Sequence, residues 1–360
     1  MTTTFSNNAT SDSSAPGNSS SQTNEIGQGH DWGPFRRAIL EYHKIMISSH
    51  VRPDGDALGS ELAAAELLRG FGCEVEIVNV SPTPANLQFL DPNGTKIQVW
   101  SQGRDARWLD RFDAILLVDT SSRSQLDALA GPIQESGLPL LIVDHHAVGG
   151  SFDGLKICDP TADSTGVLLA EAYQSLGVEP SQETAQALFV AICTDTGWFR
   201  FASVKQQTMR MAGWLIRFGA DPAGLYKRLF EQFRFAHLKM LGVVMDNAQR
   251  AFDNRVIWSS VRKSDFDRFQ AEHADMEGII NTLLTVANTE VAILLTELFD
   301  VQGKPFVKVN LRSRSQVDVA ALAAQFAGGG HKAAAGCSIY GLSIEETWSK
   351  LSAALKEVYK

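Results

Sequence analysis

Cysteine is scarce in this chain and scattered. Cys73, Cys158, Cys193 and Cys337 are its four cysteines, and no two form a C-x-x-C pair. That argues against a zinc ribbon or a disulfide framework and for a reducing compartment, the cytoplasm. Long apolar runs are missing too. No stretch approaches the roughly 20 residues needed to span a bilayer, so no membrane association is expected. The opening residues lack the basic start and apolar h-region of a secretory signal. Positive charge is in deficit: 32 Lys and Arg against 41 Asp and Glu leave a net charge of -9. A broad nucleic-acid-binding surface would be basic. A small nucleotide remains possible, because metal ions and a few arginines can hold phosphates on an acidic protein.

What is present is an ordinary globular composition, 44% hydrophobic and 20% charged over 360 residues, enough for two domains. Residues 1–31 stand apart. They are rich in Ser, Thr, Asn and Gly, nearly without large apolar groups, and are expected to form a disordered tail. From 32 to 230 short apolar runs alternate with helical patterns, at Lys44 to Ser49, Glu74 to Val80, Ala114 to Val118 and Leu141 to Val143. That alternation predicts an α/β domain on a parallel sheet. A helical linker is expected over 231–253. A smaller α+β domain follows over 254–360, with strands near Val256 to Val261, Val291 to Phe299 and Pro305 to Arg312. Gly328 to His331 reads as a glycine loop, and Ile344 to Val358 as a closing amphipathic helix.

Four apolar segments end in metal-capable side chains. The first leads into His50, followed by Pro53-Asp54-Gly55-Asp56; the second into Asp119-Thr120; the third into Asp144-His145-His146. The fourth, Ala187 to Cys193, reads as a buried helix and leads into Asp195. Each has a plain alternative. P-D-G-D is a common surface turn, Asp119 can cap a helix, the paired histidines can sit in a surface loop, and Asp195 can belong to a solvated C-cap. Taken together, the residues just past strand ends are where α/β folds place ligand sites. His50, Asp54, Asp56, Asp119, His145 and Asp195 supply two imidazoles and four carboxylates. An oxygen-rich, thiolate-free set suits two divalent cations, Mn²⁺ ahead of Mg²⁺ or Co²⁺ because imidazole is present. Two such ions about 3.5–4 Å apart are the usual device for in-line attack on phosphorus.

At Asp144-His145-His146 the sequence resembles the DHH phosphoesterase superfamily. Asn310-Leu311-Arg312-Ser313, Asp318-Val319 and Gly328-Gly329-Gly330-His331 with Lys332 to Gly336 resemble the substrate domain associated with it. The likeness runs from about Arg36 to Ser338, and is greatest to the branch of oligoribonucleases and 3′-phosphoadenosine 5′-phosphate phosphatases.

The resemblance implies that His50 and Asp54 hold one metal, that Asp119 bridges to a second, and that Asp56, His145 and Asp195 complete that second site. It implies that His146 faces the scissile phosphate and that Asp144 orients it. Arg312, Ser313 and His331 would bind the far phosphate or base, with Gly329 and Gly330 letting the backbone approach. The implied partners are short single-stranded RNA oligonucleotides or 3′-phosphoadenosine 5′-phosphate, and a homodimer through the first domain. A cyclic or linear dinucleotide phosphodiesterase uses the same core, and a non-catalytic nucleotide-binding regulator is the reading from another class.

Overall fold

The computed structural model describes residues 29–100, 106–146 and 152–359. The expected tail over 1–31 lies almost wholly outside them. The His30 ring sits 3.1 Å from Glu171. The chain divides into two compact units, Met1–Leu225 and Tyr226–Lys360.

The first unit is built on six strands: β1 (Lys44–Ser48), β2 (Glu74–Asn79), β3 (Ile97–Val99), β4 (Ala114–Val118), β5 (Leu140–Asp144) and β6 (Leu155–Cys158). Every pairing is parallel, and the order is β3-β2-β1-β4-β5-β6. The chain winds outward from β1 through β2 to β3, then crosses to β4 and winds the other way. The reversal falls between β1 and β4, so the crevice outside their carboxyl ends is the switch point where such sheets hold ligands.

Helices cover the sheet. Gly55–Gly70, Thr165–Leu176 and Gln182–Asp195 pack against one another. They approach closely because glycine lines their seam: a Cβ on Gly59 would overlap the Ala187 carbonyl oxygen, and one on Gly166 would crowd Ala191. Met46, Ile115, Leu117 and Ile142 of the sheet lie in a core with Trp100, Leu109, Phe112, Leu126 and Ile133. All five residues of β4 and of β5 are buried, which is why they read as continuous apolar runs.

The second unit has a mixed sheet of β7 (Gln249–Ala251), β8 (Val256–Val261), β9 (Val291–Phe299), β10 (Pro305–Ser313), β11 (Gly329–His331) and β12 (Ala334–Tyr340), ordered β11-β12-β10-β9-β8-β7. Only the β8–β9 pairing is parallel among the described residues. Val307, Val309 and Leu311 of β10 enter one core with the helices Val319–Ala324 and Ile344–Val358. Ala292 and Leu294 of β9 enter another with the helix Phe235–Asp246, whose Met240 and Val244 lie in that core.

Three short strands escape a reading of periodicity. β3 and β6 are three and four residues long, with one buried residue each, too short to show alternation. The expected glycine loop is instead an edge strand: Gly329, Gly330 and His331 pair with Gly336, Ala335 and Ala334 of β12. Glycine and alanine have little strand propensity, so pairing to β10 through β12 decides the conformation there rather than local preference.

Candidate metal centre

The site is built from the ends of strands. His50 follows β1, and its ring Nδ1 lies 3.0 Å from the Val51 carbonyl oxygen. A proton donated there leaves Nε2 as the ligand atom. Nε2 is 3.3 Å from Asp119 Oδ2 and 3.9 Å from Asp54 Oδ1. Asp54 also caps the helix Gly55–Gly70, its Oδ1 accepting from the backbone N–H of Asp56 and of Ala57.

Asp119 follows β4 in the left-handed region, with φ of 57°, and only 2% of its side chain is exposed. A non-glycine residue held there costs about 1–3 kcal/mol of strain, repaid by what its position allows. Its two oxygens face different partners. Oδ2 faces His50, while Oδ1 is 3.5 Å from His145 Nε2 and accepts from the Thr165 hydroxyl at 3.0 Å.

His145 lies just past β5. Its Nε2 is 3.1 Å from Asp195 Oδ2 and 3.7 Å from Asp56 Oδ2. Asp56 is fully buried and accepts from Thr165 N at 2.7 Å, Gly166 N at 2.8 Å and the Ser60 hydroxyl at 3.3 Å. Two of these donors are orphan amides at the start of the helix Thr165–Leu176, whose N-terminal dipole favours an anion. His146 is 44% exposed, and its Nδ1 and backbone N–H both bond Asp144 Oδ1, at 2.8 and 3.1 Å.

Ligand atoms therefore gather in three overlapping groups: His50, Asp54 and Asp119; Asp56, His145 and Asp195; and Asp119, His145 and His146. Within each, all ligand atoms lie within 4.8 Å of one another. The charges fit cations. Desolvation and then the Asp119 charge raise the Asp54 pKa, and burial with the charges of Asp119, Asp195 and Asp54 raises that of Asp56 well above the usual carboxylate range. Burial alone would lower the pKa of His50 and His145, but the adjoining carboxylates outweigh it and push both to about 9. Four carboxylates this close need positive charge, and imidazolium protons occupy positions that divalent ions would take. Burial also opposes ionisation of Asp144, yet its bonds from His146 prevail and hold its pKa below the ordinary value.

Sequence reasoning passed over Thr165, which serves both Asp56 and Asp119, and the buried Glu61–Asn79 pair. Asn79 Nδ2 donates to Glu61 Oε2 at 2.9 Å, and its Oδ1 accepts from Ser49 N at 3.4 Å, beside His50. The run Ser164-Thr165-Gly166 opening a helix was a signal available for the first. The second had none.

In the second unit, β-sheet register sets Arg312, Ala334 and His331 in one row across β10, β12 and β11. Arg312 is half-buried and its Nη1 donates to its own neighbour's carbonyl, Leu311 O. Ser313 is not brought to that row: it is 7% exposed, with its hydroxyl 3.3 Å from that of Ser315. Arg314 donates to the backbone carbonyls of Thr289 and Val286. Gly329 and His331 are exposed, and Gly330 sits at φ of 144°. The aromatic run after Asp195 is half-buried at one end, where Trp198 and Phe199 pack on buried Phe189, and exposed at Phe201.

Residues 44–192 match the DHH family N-terminal domain, and residues 253–360 match the DHHA1 domain. The chain belongs to the DHH family. The DHH family is a family of metal-dependent phosphoesterases, and the chain is an enzyme of that class. It is 28% identical to the bifunctional oligoribonuclease and PAP phosphatase NrnA of Thermus thermophilus, over 87% of this chain and 89% of that one. The protein of the same name from Bacillus subtilis is 26% identical, over 84% and 92%. Among solved structures, an exopolyphosphatase-related protein from Bacteroides fragilis superposes with a TM-score of 0.80 at 25% identity, covering 91% of this chain and 96% of that one. This DHH-family chain has no helix long and apolar enough to cross a membrane among its described residues, and its four cysteines are unpaired.

Proposed function

We propose that the protein hydrolyses phosphate esters of short nucleotides with two divalent cations, its substrates being short single-stranded RNA oligonucleotides and 3′-phosphoadenosine 5′-phosphate, the latter yielding AMP and phosphate. The observation that carries this reading is Asp119: one oxygen faces His50 and the other faces His145, so one carboxylate serves two adjoining ligand groups. The names of the Thermus and Bacillus relatives support the substrate choice. Imidazole beside carboxylate favours Mn²⁺, with Mg²⁺ and Co²⁺ as lesser candidates. Unpaired cysteines fit a reducing compartment, and we place the protein in the cytoplasm.

Divalent cations at such a centre lower the pKa of a water molecule and neutralise charge on phosphate oxygens. The side chains have separate tasks. Asp119 keeps the two ligand groups in register, and the Thr165 hydroxyl fixes the oxygen that faces His145. Asp56 is aimed by two helix-terminal amides. Asp144 accepts from His146 Nδ1 and raises the His146 pKa, leaving Nε2–H to donate to a phosphate oxygen from an accessible position. In the second unit Arg312 offers a planar fork suited to gripping phosphate, with His331 in the same row and Gly329 and Gly330 open to backbone approach.

The test is side-by-side turnover of a 5′-labelled RNA dinucleotide, 3′-phosphoadenosine 5′-phosphate and cyclic di-AMP, each with Mn²⁺ and with chelator. Metal-dependent cleavage of the first two is expected. Preference for the cyclic compound would overturn the substrate assignment, and turnover unaffected by chelator would overturn the metal centre.

A further inference from the structure

The second unit holds a pocket of about 280 Å³ along β10 whose lining combines two cations with an apolar floor. Lys308, Asn310 and Arg312 alternate on this strand with Val307, Val309 and Leu311. The latter three are buried in the core with Val319–Ala324 and Ile344–Val358, so the polar three face the opposite side of the sheet. There Met276, Ile280 and Leu294 form the floor.

Glu277 also lines the pocket, yet it makes no ion pair with Lys308 or Arg312. Lys308 Nζ lies 2.8 Å from His273 Nε2. Burial and then the Lys308 charge lower the His273 pKa, so the neutral ring accepts from the ammonium. Among the described residues neither Lys308 nor Arg312 pairs with a carboxylate, and the Asn310 amide has no hydrogen-bond partner. All three are half-buried. Partly desolvated cations without a partner are unfavourable until an anion arrives. Lys308 and Arg312 are four residue steps apart on the strand, about 13 Å along the backbone, which suits two separate phosphates better than one. Between them, an unpaired amide over an apolar floor matches a nucleobase. Its edge needs a donor and an acceptor, as adenine meets asparagine, and its face needs apolar surface.

We propose that this pocket is a second nucleotide subsite: Lys308, steadied by His273, holds a phosphate one unit beyond the one at Arg312, and Asn310 meets the base between them. The assignment rests on the oligonucleotide reading above and deepens it. A trinucleotide carries a further phosphate and base for Lys308 and Asn310, whereas 3′-phosphoadenosine 5′-phosphate has no unit beyond the one at Arg312.

The full-length protein and Lys308→Ala would be compared for binding of 5′-phosphorylated triadenylate RNA and of 3′-phosphoadenosine 5′-phosphate by titration calorimetry in chelator, and for kcat and KM on both with Mn²⁺. Lys308→Ala should lower the preference for the trimer over the smaller compound about tenfold, the scale of one hydrogen bond to a charged group, through KM rather than kcat. Asn310→Ala should shift the same ratio, and Lys308→Arg should restore it. An unchanged ratio, or equal losses on both compounds, would overturn the subsite. If the wild type binds the trimer with this Lys308 dependence but cleaves neither compound, the subsite stands and the hydrolytic reading falls. If it cleaves both and Lys308→Ala leaves the ratio unchanged, the subsite alone falls.

Discussion

His145 Nε2 lies 3.1 Å from Asp195 Oδ2, joining the end of strand β5 to the last residue of the helix Gln182–Asp195. Their meeting closes the second ligand group, with Asp56 buried behind it. Asp195→Asn keeps the shape and removes the charge. It should weaken Mn²⁺ binding by at least about tenfold, since even partners outside the ligand set alter metal affinity 10–100-fold. Calorimetric titration of the two proteins checks this, and equal affinities would remove Asp195 from the set.

Asp119→Asn should be more severe. With its carboxylate serving both groups, turnover should fall by at least about a hundredfold. Native mass spectrometry should show fewer than two bound ions per chain. Two ions retained at full activity would contradict a bridging role.

Asp144→Asn separates orientation from ligation. Asp144 bonds His146 twice, so the variant should lose about 10–100-fold in kcat while still binding two ions. The alkaline limb of its pH–rate profile should move to lower pH, because the bond from Asp144 is the largest cause raising the His146 pKa. An unchanged profile would mean that His146 is not held by this bond.

The metal-free protein should become less stable as pH rises. His50 and His145 have folded pKa values near 9 against 6.5 for the unbound side chain. Their stabilisation is complete below about pH 6.5 and is lost through about pH 9. Glu61, raised by burial from 4.5 to about 7, acts in the same direction at lower pH, because the folded state binds more protons than the unfolded one. Saturating Mn²⁺ should reverse the trend above pH 7, since ions displace these protons. Thermal melts with chelator and with Mn²⁺ across pH 5–9 check both signs.

Two packing substitutions should act on stability. Gly59→Ala should cost about 1–3 kcal/mol by overpacking against the Ala187 carbonyl. Asn79→Ala should cost a similar amount, about 1–3 kcal/mol, by removing a donor from the buried Glu61 carboxyl. Urea midpoints would show both. A neutral Gly59→Ala would mean that the helix Gln182–Asp195 can shift without loss.

The sheet strands that position the centre were legible because they are buried on both faces. Ala114–Val118 and residues 140–143 carry unbroken apolar side chains, and the ends of these runs mark Asp119, Asp144, His145 and His146. Gly329–His331 was not legible as a strand, because its pairing comes from β12 and leaves no periodic trace in three small or polar residues. The run Ser164-Thr165-Gly166 marks a helix start but not what that start serves at Thr165. Its role is set by the helix end it occupies, whose amides point at Asp56 only once that helix packs beside Gly55–Gly70.

The amino-acid sequence by itself determined the α/β character of the first domain and which residue types end its buried strands. Burial and periodicity are local properties, and they survive in the order of residues. Only the tertiary structure decided that β1 and β4 lie side by side at the switch point, that Asp119 turns one oxygen to His50 and the other to His145, and that Lys308, Asn310 and Arg312 share a pocket with Met276 and Ile280. Those relations depend on strand order, register and backbone angle, which arise from contacts between residues distant in the chain.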